Sequence, residues 1–193
     1  TIKDEDELLE AKLTTGNSQI LLAVKSGKAI RFEEDKTRPM GRSASGVRGI
    51  TLNGPSDEVI GMVSVSDSET EILVVSENGY GKRSSLDDYR TTNRGGKGVK
   101  TLSITDKTGE LVSIKNVSDL DDLMIINKSG IAIRMDVADL RVMGRATQGV
   151  KLINLKGTDT IAAVAKVMKD DEEIPEVSED DVPTSETDGT NLE

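Results

Sequence analysis

Apolar residues in this chain come in short runs that stop at glycine. The stretches "QILLAVKSGKAIRF" (19–32), "EILVVSENGYGKRS" (71–84) and "DLMIINKSGIAIRM" (122–135) share one layout. Each has an apolar run, a two-residue turn and a second short run. The turns are Ser26-Gly27, Asn78-Gly79 and Ser129-Gly130, and glycine supplies the positive φ that a tight hairpin needs. Downstream, "GVRGITL" (46–52), "GVKTLSI" (98–104) and "GVKLINL" (149–155) predict one more strand per unit. A fourth run opens each unit: "DELLEAKL" (6–13), "DEVIGMVSV" (57–65) and "GELVSIKNV" (109–117), returning as "DTIAAVAKV" (159–167). Helical repeats fit badly, because the runs are too short. Residues 6–13 alone could pass as a helix, but their match to the later openers predicts a strand.

The pattern is a repeat. Gly27, Gly79 and Gly130 lie 52 and 51 residues apart, as do Gly46, Gly98 and Gly149. Four β-branched-rich strands per unit predict an all-β, propeller-like β-pinwheel. Its three four-stranded blades run over 6–56, 57–108 and 109–158, with one extra strand at 159–167, so that a partial pinwheel fills 1–168. A closed propeller has about four to eight blades. Three blades therefore predict part of a larger ring, with terminal edges liable to associate.

Composition narrows the chemistry. The 193 residues include no cysteine and no histidine, which excludes disulfides, thiolate metal sites and histidine acid–base catalysis. No run approaches the roughly 18 apolar residues of a membrane span, and no signal-peptide pattern opens the chain. A soluble, cytoplasmic protein without membrane partners is expected. The chain does not begin with Met, as expected of a processed chain or a piece of a longer one.

The net charge of −10 conceals an asymmetry. Residues 170–193 carry eleven acids and no base, while residues 1–169 hold the other 24 acids and all 25 bases. A mildly basic body followed by an acidic tail points to a polyelectrolyte partner. The tail, 169–193, is expected to be disordered. It could act as a tethered counter-charge that competes for the basic body, or simply as a solvated tail.

The repeat also organises the bases. Arg31, Arg83 and Arg134 fall at one place in the three units. Arg38, Arg90 and Arg141 fall at a second; Arg42, Arg94 and Arg145 at a third; Arg48, Lys100 and Lys151 at a fourth. These columns hold 12 of the 25 basic residues, against one wholly acidic column, Glu7–Glu58–Glu110. Equivalent places on successive blades predict a band of positive charge suited to a duplex, with roughly one phosphate charge per 1.7 Å of axis. No base-reading element is apparent. Three aromatic residues (Phe32, Tyr80, Tyr89) are too few for a single-strand stacking platform. Binding and bending of duplex DNA without sequence preference is expected, governed by backbone contacts and deformability. A repeated arginine can instead pair within its blade, and Arg31, Arg83 and Arg134 sit inside predicted strands where that alternative is equally open. The loop column Arg42, Arg94 and Arg145 is the one most expected to touch DNA. The second repeat adds Lys97 in "RGGKG" (94–98), whose glycines would let backbone N–H groups approach a phosphate. That loop lacks the GxxxxGK[ST] spacing of a nucleotide-binding P-loop. The matching loops "MGRSASG" (40–46) and "MGRATQG" (143–149) end at the same glycine.

With "AIRF…MGRSASGVRGI", "NGYGKRSSLDDYRTTNRGGKGV" and "VMGRATQGVKLI" in order along the chain, the sequence resembles the carboxy-terminal β-pinwheel domain of the DNA gyrase A subunit. More distantly it resembles that of the topoisomerase IV A subunit. The resemblance spans about residues 3–168 and implies half of a six-bladed ring. It also implies a module that wraps duplex DNA and presents a segment for strand passage during ATP-dependent negative supercoiling. The seven-residue gyrase box Q-R-R-G-G-K-G is matched at its last five positions by "TNRGGKG" (92–98), which reads as a degenerate copy. The resemblance implies no catalytic residue or cofactor in this chain, ATP and Mg²⁺ being used elsewhere in the parent complex. The implied partners are duplex DNA, the amino-terminal catalytic domain of the gyrase A protein, and the gyrase B protein in a heterotetramer near the nucleoid. The rival readings are a topoisomerase IV module that selects substrates, and a propeller-like protein-interaction scaffold.

Overall fold

The computed structural model describes residues 2–66 and 70–169. The expected tail, 170–193, lies outside the described residues. Among the described residues, eleven strands form three antiparallel sheets. The first is β3 (Val59–Val65), β1 (Gln19–Val24), β2 (Lys28–Glu33) and β6 (Val99–Lys100). The second is β10 (Val150–Lys151), β5 (Tyr80–Ser85), β4 (Glu71–Ser76) and β7 (Leu111–Val117). The third has three strands: β11 (Ile161–Met168), β8 (Asp121–Asn127) and β9 (Ala132–Asp136).

Each sheet is assembled from neighbouring repeats. A hairpin supplies the centre, as in β1–β2 with Leu22 opposite Ile30. The opener of the following unit closes one side, as in β3 on β1. A two-residue strand from the following repeat closes the other: β6 on β2, with Lys100 opposite Lys28, and β10 on β5, with Lys151 opposite Tyr80. A blade is therefore shifted along the chain from the units 6–56, 57–108 and 109–158.

The same exchange corrects two sequence expectations. Residues 6–13 and 46–52 form no strand. Both match segments that pair with the hairpin of the preceding repeat, and residues 2–18 hold no hairpin. A strand exists only where a ladder partner satisfies its backbone groups, so local apolar pattern is insufficient there.

Blades stack through their side chains. Leu21 and Ala23 of β1 join Ile72 and Val74 of β4 and Leu111 and Ile114 of β7 in one buried cluster. Leu73 and Val75, the alternate residues of β4, join Leu123 and Ile125 of β8 in another. Burial on both faces explains the unbroken apolar run "ILVV" in β4. Leu86 and Tyr89 sit in the first cluster, Val137 and Leu140 in the second. These residues follow β5 and β9 and lead the chain back across the preceding hairpin.

Candidate nucleic-acid interface

The return crossing positions the basic loops. After β5 the chain leaves its sheet, yet it is held by backbone bonds to the first blade. Thr92 donates its N–H to the Arg31 carbonyl at 2.8 Å, Gly95 to Gly49 at 2.5 Å and Thr101 to Gly27 at 2.9 Å. After β9 the pattern returns, with Met143 donating to the Arg83 carbonyl and Leu152 to Gly79, both at 2.8 Å. Glycine is required where the crossing touches the hairpin. A Cβ on Gly98 (φ +68°) would stand 2.5 Å from the Ala29 carbonyl oxygen, and one on Gly149 (φ +79°) 2.5 Å from that of Gly81. No other residue combines that φ with that approach.

The four basic columns separate into different roles. In the first, Arg31 donates to the Gln19 side-chain oxygen (2.7 Å from Nε) and to the carbonyls of Leu86 (2.7 Å) and Tyr89 (3.0 Å). Burial lowers its pKa from the usual guanidinium value. Arg83 is buried, with only 9% of its side chain exposed. It donates to the Leu140 carbonyl and the Asp119 carboxylate, and faces Glu71 at 2.8 Å as a charge contact without hydrogen-bond geometry. Arg134 pairs with Asp122 at 2.6 Å and stays half exposed. Gln19, Glu71 and Asp122 are themselves one column. Arg31 and Arg83 thus tie a hairpin to the loop crossing it. Arg83 cannot reach a phosphate without dismantling that junction, which corrects its inclusion in a surface band.

The loop column has a clasp at two of its three places. Arg94 donates from Nε to the Lys36 carbonyl at 2.8 Å and from Nη1 to the Arg48 carbonyl at 2.9 Å. Arg145 repeats this with Asp88 at 2.9 Å and Lys100 at 2.8 Å. These arginines therefore fix the backbone beneath the fourth column, Arg48 and Lys100. Arg42 makes no such contact among the described residues.

The other bases of these columns, with Lys97, stand at the surface. Arg38, Arg90, Arg141, Arg42, Arg48, Lys97, Lys100 and Lys151 are exposed, and none joins an ion pair among the described residues. The fold gathers some of them: Arg90, Lys97 and Arg31 line a cleft of about 200 Å³ over Ile30. Two participants escaped sequence reasoning. Lys28 stands directly opposite Lys100 across β2–β6, a like-charge pair that disfavours folding unless an anion is near. Its column reads Lys28, Tyr80, Ile131, so the repeat gave no signal. Lys82 is wholly buried where its column otherwise holds Ile30 and Ile133. Its Nζ donates to the Gly144 carbonyl at 2.5 Å and to Thr147 Oγ1 at 3.2 Å, beneath the Arg145 loop. Burial lowers its pKa to about 8. Among the described residues, no group of three or more acidic side chains is placed to hold a metal ion, and no helix is long and apolar enough to cross a membrane.

The repeat geometry is matched three times by one family model, the DNA gyrase C-terminal domain, beta-propeller, at residues 19–66, 70–118 and 121–168. The chain belongs to that family. The matched segments begin at β1, β4 and β8, so the family's unit has the phase of the sheets. The DNA gyrase A subunit of Staphylococcus aureus (strain NCTC 8325 / PS 47) is 46% identical over 191 residues, covering 98% of this chain and 21% of the relative. The strain MRSA252 protein is 47% identical over 192 residues, with the same coverage. The chain thus spans about a fifth of the length of the curated relatives it matches. Among solved structures, a DNA gyrase A C-terminal domain superposes with a TM-score of 0.79 at 26% identity, covering 87% of this chain and 57% of that one. The C-terminal domain of a DNA topoisomerase IV shares the fold, with a TM-score of 0.80 at 20% identity over 86% and 52%.

Proposed function

We propose that this gyrase-type domain binds duplex DNA without base-sequence preference and bends it along its loops. The observation that carries the reading is the set of exposed, unpaired bases recurring at equivalent places in successive repeats: Arg38, Arg90 and Arg141, with Arg48, Lys100 and Lys151. Charges left without carboxylate partners, and Lys28 facing Lys100, favour a polyanionic ligand. Arg42 and Lys97 add to this set. Arg94 and Arg145 act by holding the backbone under it, with their outer nitrogens available to phosphates, and Arg31 and Arg134 contribute at its margin. In this reading the chain is the carboxy-terminal module of a gyrase A protein in the bacterial cytoplasm. It presents a DNA segment for passage during ATP-dependent negative supercoiling, with the gyrase A catalytic domain and the gyrase B protein as partners. ATP and Mg²⁺ act elsewhere in that assembly. The high identity to gyrase A proteins over nearly this whole chain favours gyrase over a topoisomerase IV role. The scarcity of aromatic residues disfavours a protein-docking scaffold.

Titrating unrelated duplexes of equal length at increasing salt tests the reading. Affinity is expected to be the same for all and to fall with a log–log slope of about −0.9 per phosphate neutralised. A flat salt response, or strong preference for one sequence, rejects it.

A further inference from the structure

Two Asn-Gly pairs occur in the chain, Asn53-Gly54 and Asn78-Gly79. In such a pair the side-chain amide carbon is one five-membered ring closure from the nitrogen of the next residue, and glycine has no Cβ to obstruct the approach. The two pairs share this chemistry, so a difference between them is imposed by the fold.

The fold holds one pair and leaves the other open. Asn78-Gly79 is the two-residue turn between β4 and β5. Gly79 is buried and donates its N–H to the Ser76 carbonyl at 3.0 Å. A Cβ placed on it would stand 2.9 Å from the Ile153 carbonyl oxygen, so the chain after β10 presses on this turn. Asn78 donates its backbone N–H to the Thr108 carbonyl at 3.1 Å, and its side-chain nitrogen to the carbonyls of Asp106 and Lys107, both at 3.3 Å. The attacking nitrogen and the amide under attack are both tied down.

Asn53-Gly54 stands in the turn before β3, and both residues are exposed. Nothing lies within 4 Å of a Cβ placed on Gly54. Among the described residues, neither the Gly54 N–H nor the Asn53 side chain has a hydrogen-bond partner. This exposure belongs to the repeat. The matching turns, 105–107 and 156–158, are exposed although the segments before them are docked. The turn is held instead by the carboxylate of buried Asp57. It accepts the Asn53 N–H at 2.7 Å, and the N–H and hydroxyl of Ser26 at 2.9 and 2.8 Å.

We infer that Asn53 is a site of spontaneous deamidation in the folded protein and that Asn78 is not. The Gly54 nitrogen gives its proton to solvent and forms a bond to Asn53 Cγ. The bond from Cγ to the side-chain nitrogen breaks, and ammonia departs, leaving a cyclic imide. Water opens the imide at either carbonyl, giving aspartate or isoaspartate. The net change is amide plus water to acid plus ammonia. Both products add a negative charge. Isoaspartate also routes the main chain through the side-chain methylene, beside the N–H that Asp57 holds, and so loosens the tie between this turn and the Ser26-Gly27 hairpin.

Ageing the whole chain at mildly alkaline pH, followed by peptide mapping with fragmentation in a mass spectrometer, tests this. Acid is expected to accumulate at Asn53. Asn78 is expected to lag at least about tenfold, the factor that an opening cost of about 1.4 kcal/mol for its hairpin imposes. In urea, where both turns are lost, the two are expected to react at similar rates. Asn53→Gln, which disfavours the five-membered imide, is expected to keep the fold by circular dichroism and to leave this turn as amide. Equal rates at Asn53 and Asn78 in the folded chain overturn the inference. So does an intact Asn53 under conditions that convert both pairs in urea, or acid formation in this turn undiminished by Asn53→Gln.

Discussion

The two crossings, residues 90–100 over β2 and 141–151 over β5, share a backbone and differ in what lies beneath. Both begin with a bond to the carbonyl of the hairpin arginine, Arg31 or Arg83. Both have a clasping arginine, Arg94 or Arg145, and both finish on a left-handed glycine against the hairpin. Beneath the first lies Ile30 and an open cleft; beneath the second, the Lys82 ammonium fills the space and holds Gly144. Above β2 the arginine leans on a neutral Gln19; above β5 it is buried against Glu71 and reaches the exposed Asp119 carboxylate. The repeat therefore keeps the geometry of the clasp constant within the chain, while the polarity under it varies. The second crossing carries more buried charge and depends more on it.

That difference can be broken first at Arg83. Arg83→Ala leaves Glu71 without its cation in a mostly buried setting, and is expected to cost about 3–5 kcal/mol in urea unfolding. Arg134→Ala removes a half-exposed arginine from the buried Asp122 carboxylate, and with fewer bonds lost than at Arg83 it is expected to cost less, about 1–3 kcal/mol. Equal losses would show that burial does not separate the two places. Next is Gly149→Ala, which combines a left-handed φ with a contact at 2.5 Å to the Gly81 carbonyl. It is expected to cost at least about 1–3 kcal/mol, whereas Gly144→Ala, in open space without positive φ, stays within about 0.5 kcal/mol by the same unfolding assay.

The smallest expected effect is a pH dependence. The folded pKa of Lys82, about 8, lies below the ordinary lysine value of 10.5. Between these values the unfolded chain binds the proton and the folded chain does not. Stability from this group therefore rises with pH from about 8 towards 10.5 and is at its lowest below 8. Lys82→Met is expected to flatten that rise, seen as a smaller difference between melting temperatures at pH 7.5 and 9.5. The same slope in the variant would assign the dependence to other groups.

Much of this was legible in the sequence because a repeat is its own control. The hairpins around Ser26-Gly27, Asn78-Gly79 and Ser129-Gly130 formed as the pattern requires, and the basic columns identified Arg94 and Arg145 as equivalent. What a column cannot show is the partner. Arg31 and Arg83 meet carbonyls more than fifty residues away, and Lys28 meets Lys100 only because a strand crosses between blades. Residues 46–52 have the same apolar pattern as 98–104, yet only the latter pairs, since pairing depends on a hairpin contributed by another repeat. Lys82 was invisible for the opposite reason: it departs from its column and is buried by a loop distant in sequence.

We propose that labour is divided among the bases: the clasping and buried arginines hold blades together, while the exposed, unpaired column would receive phosphates. Duplex binding by Arg38→Ala/Arg90→Ala/Arg141→Ala, followed against salt beside its urea unfolding, tests this division most directly. The predicted result is weaker binding to every duplex and a salt slope shallower by about 0.9 for each phosphate no longer neutralised, with unfolding unchanged. An unaltered salt slope together with a destabilised fold would contradict it.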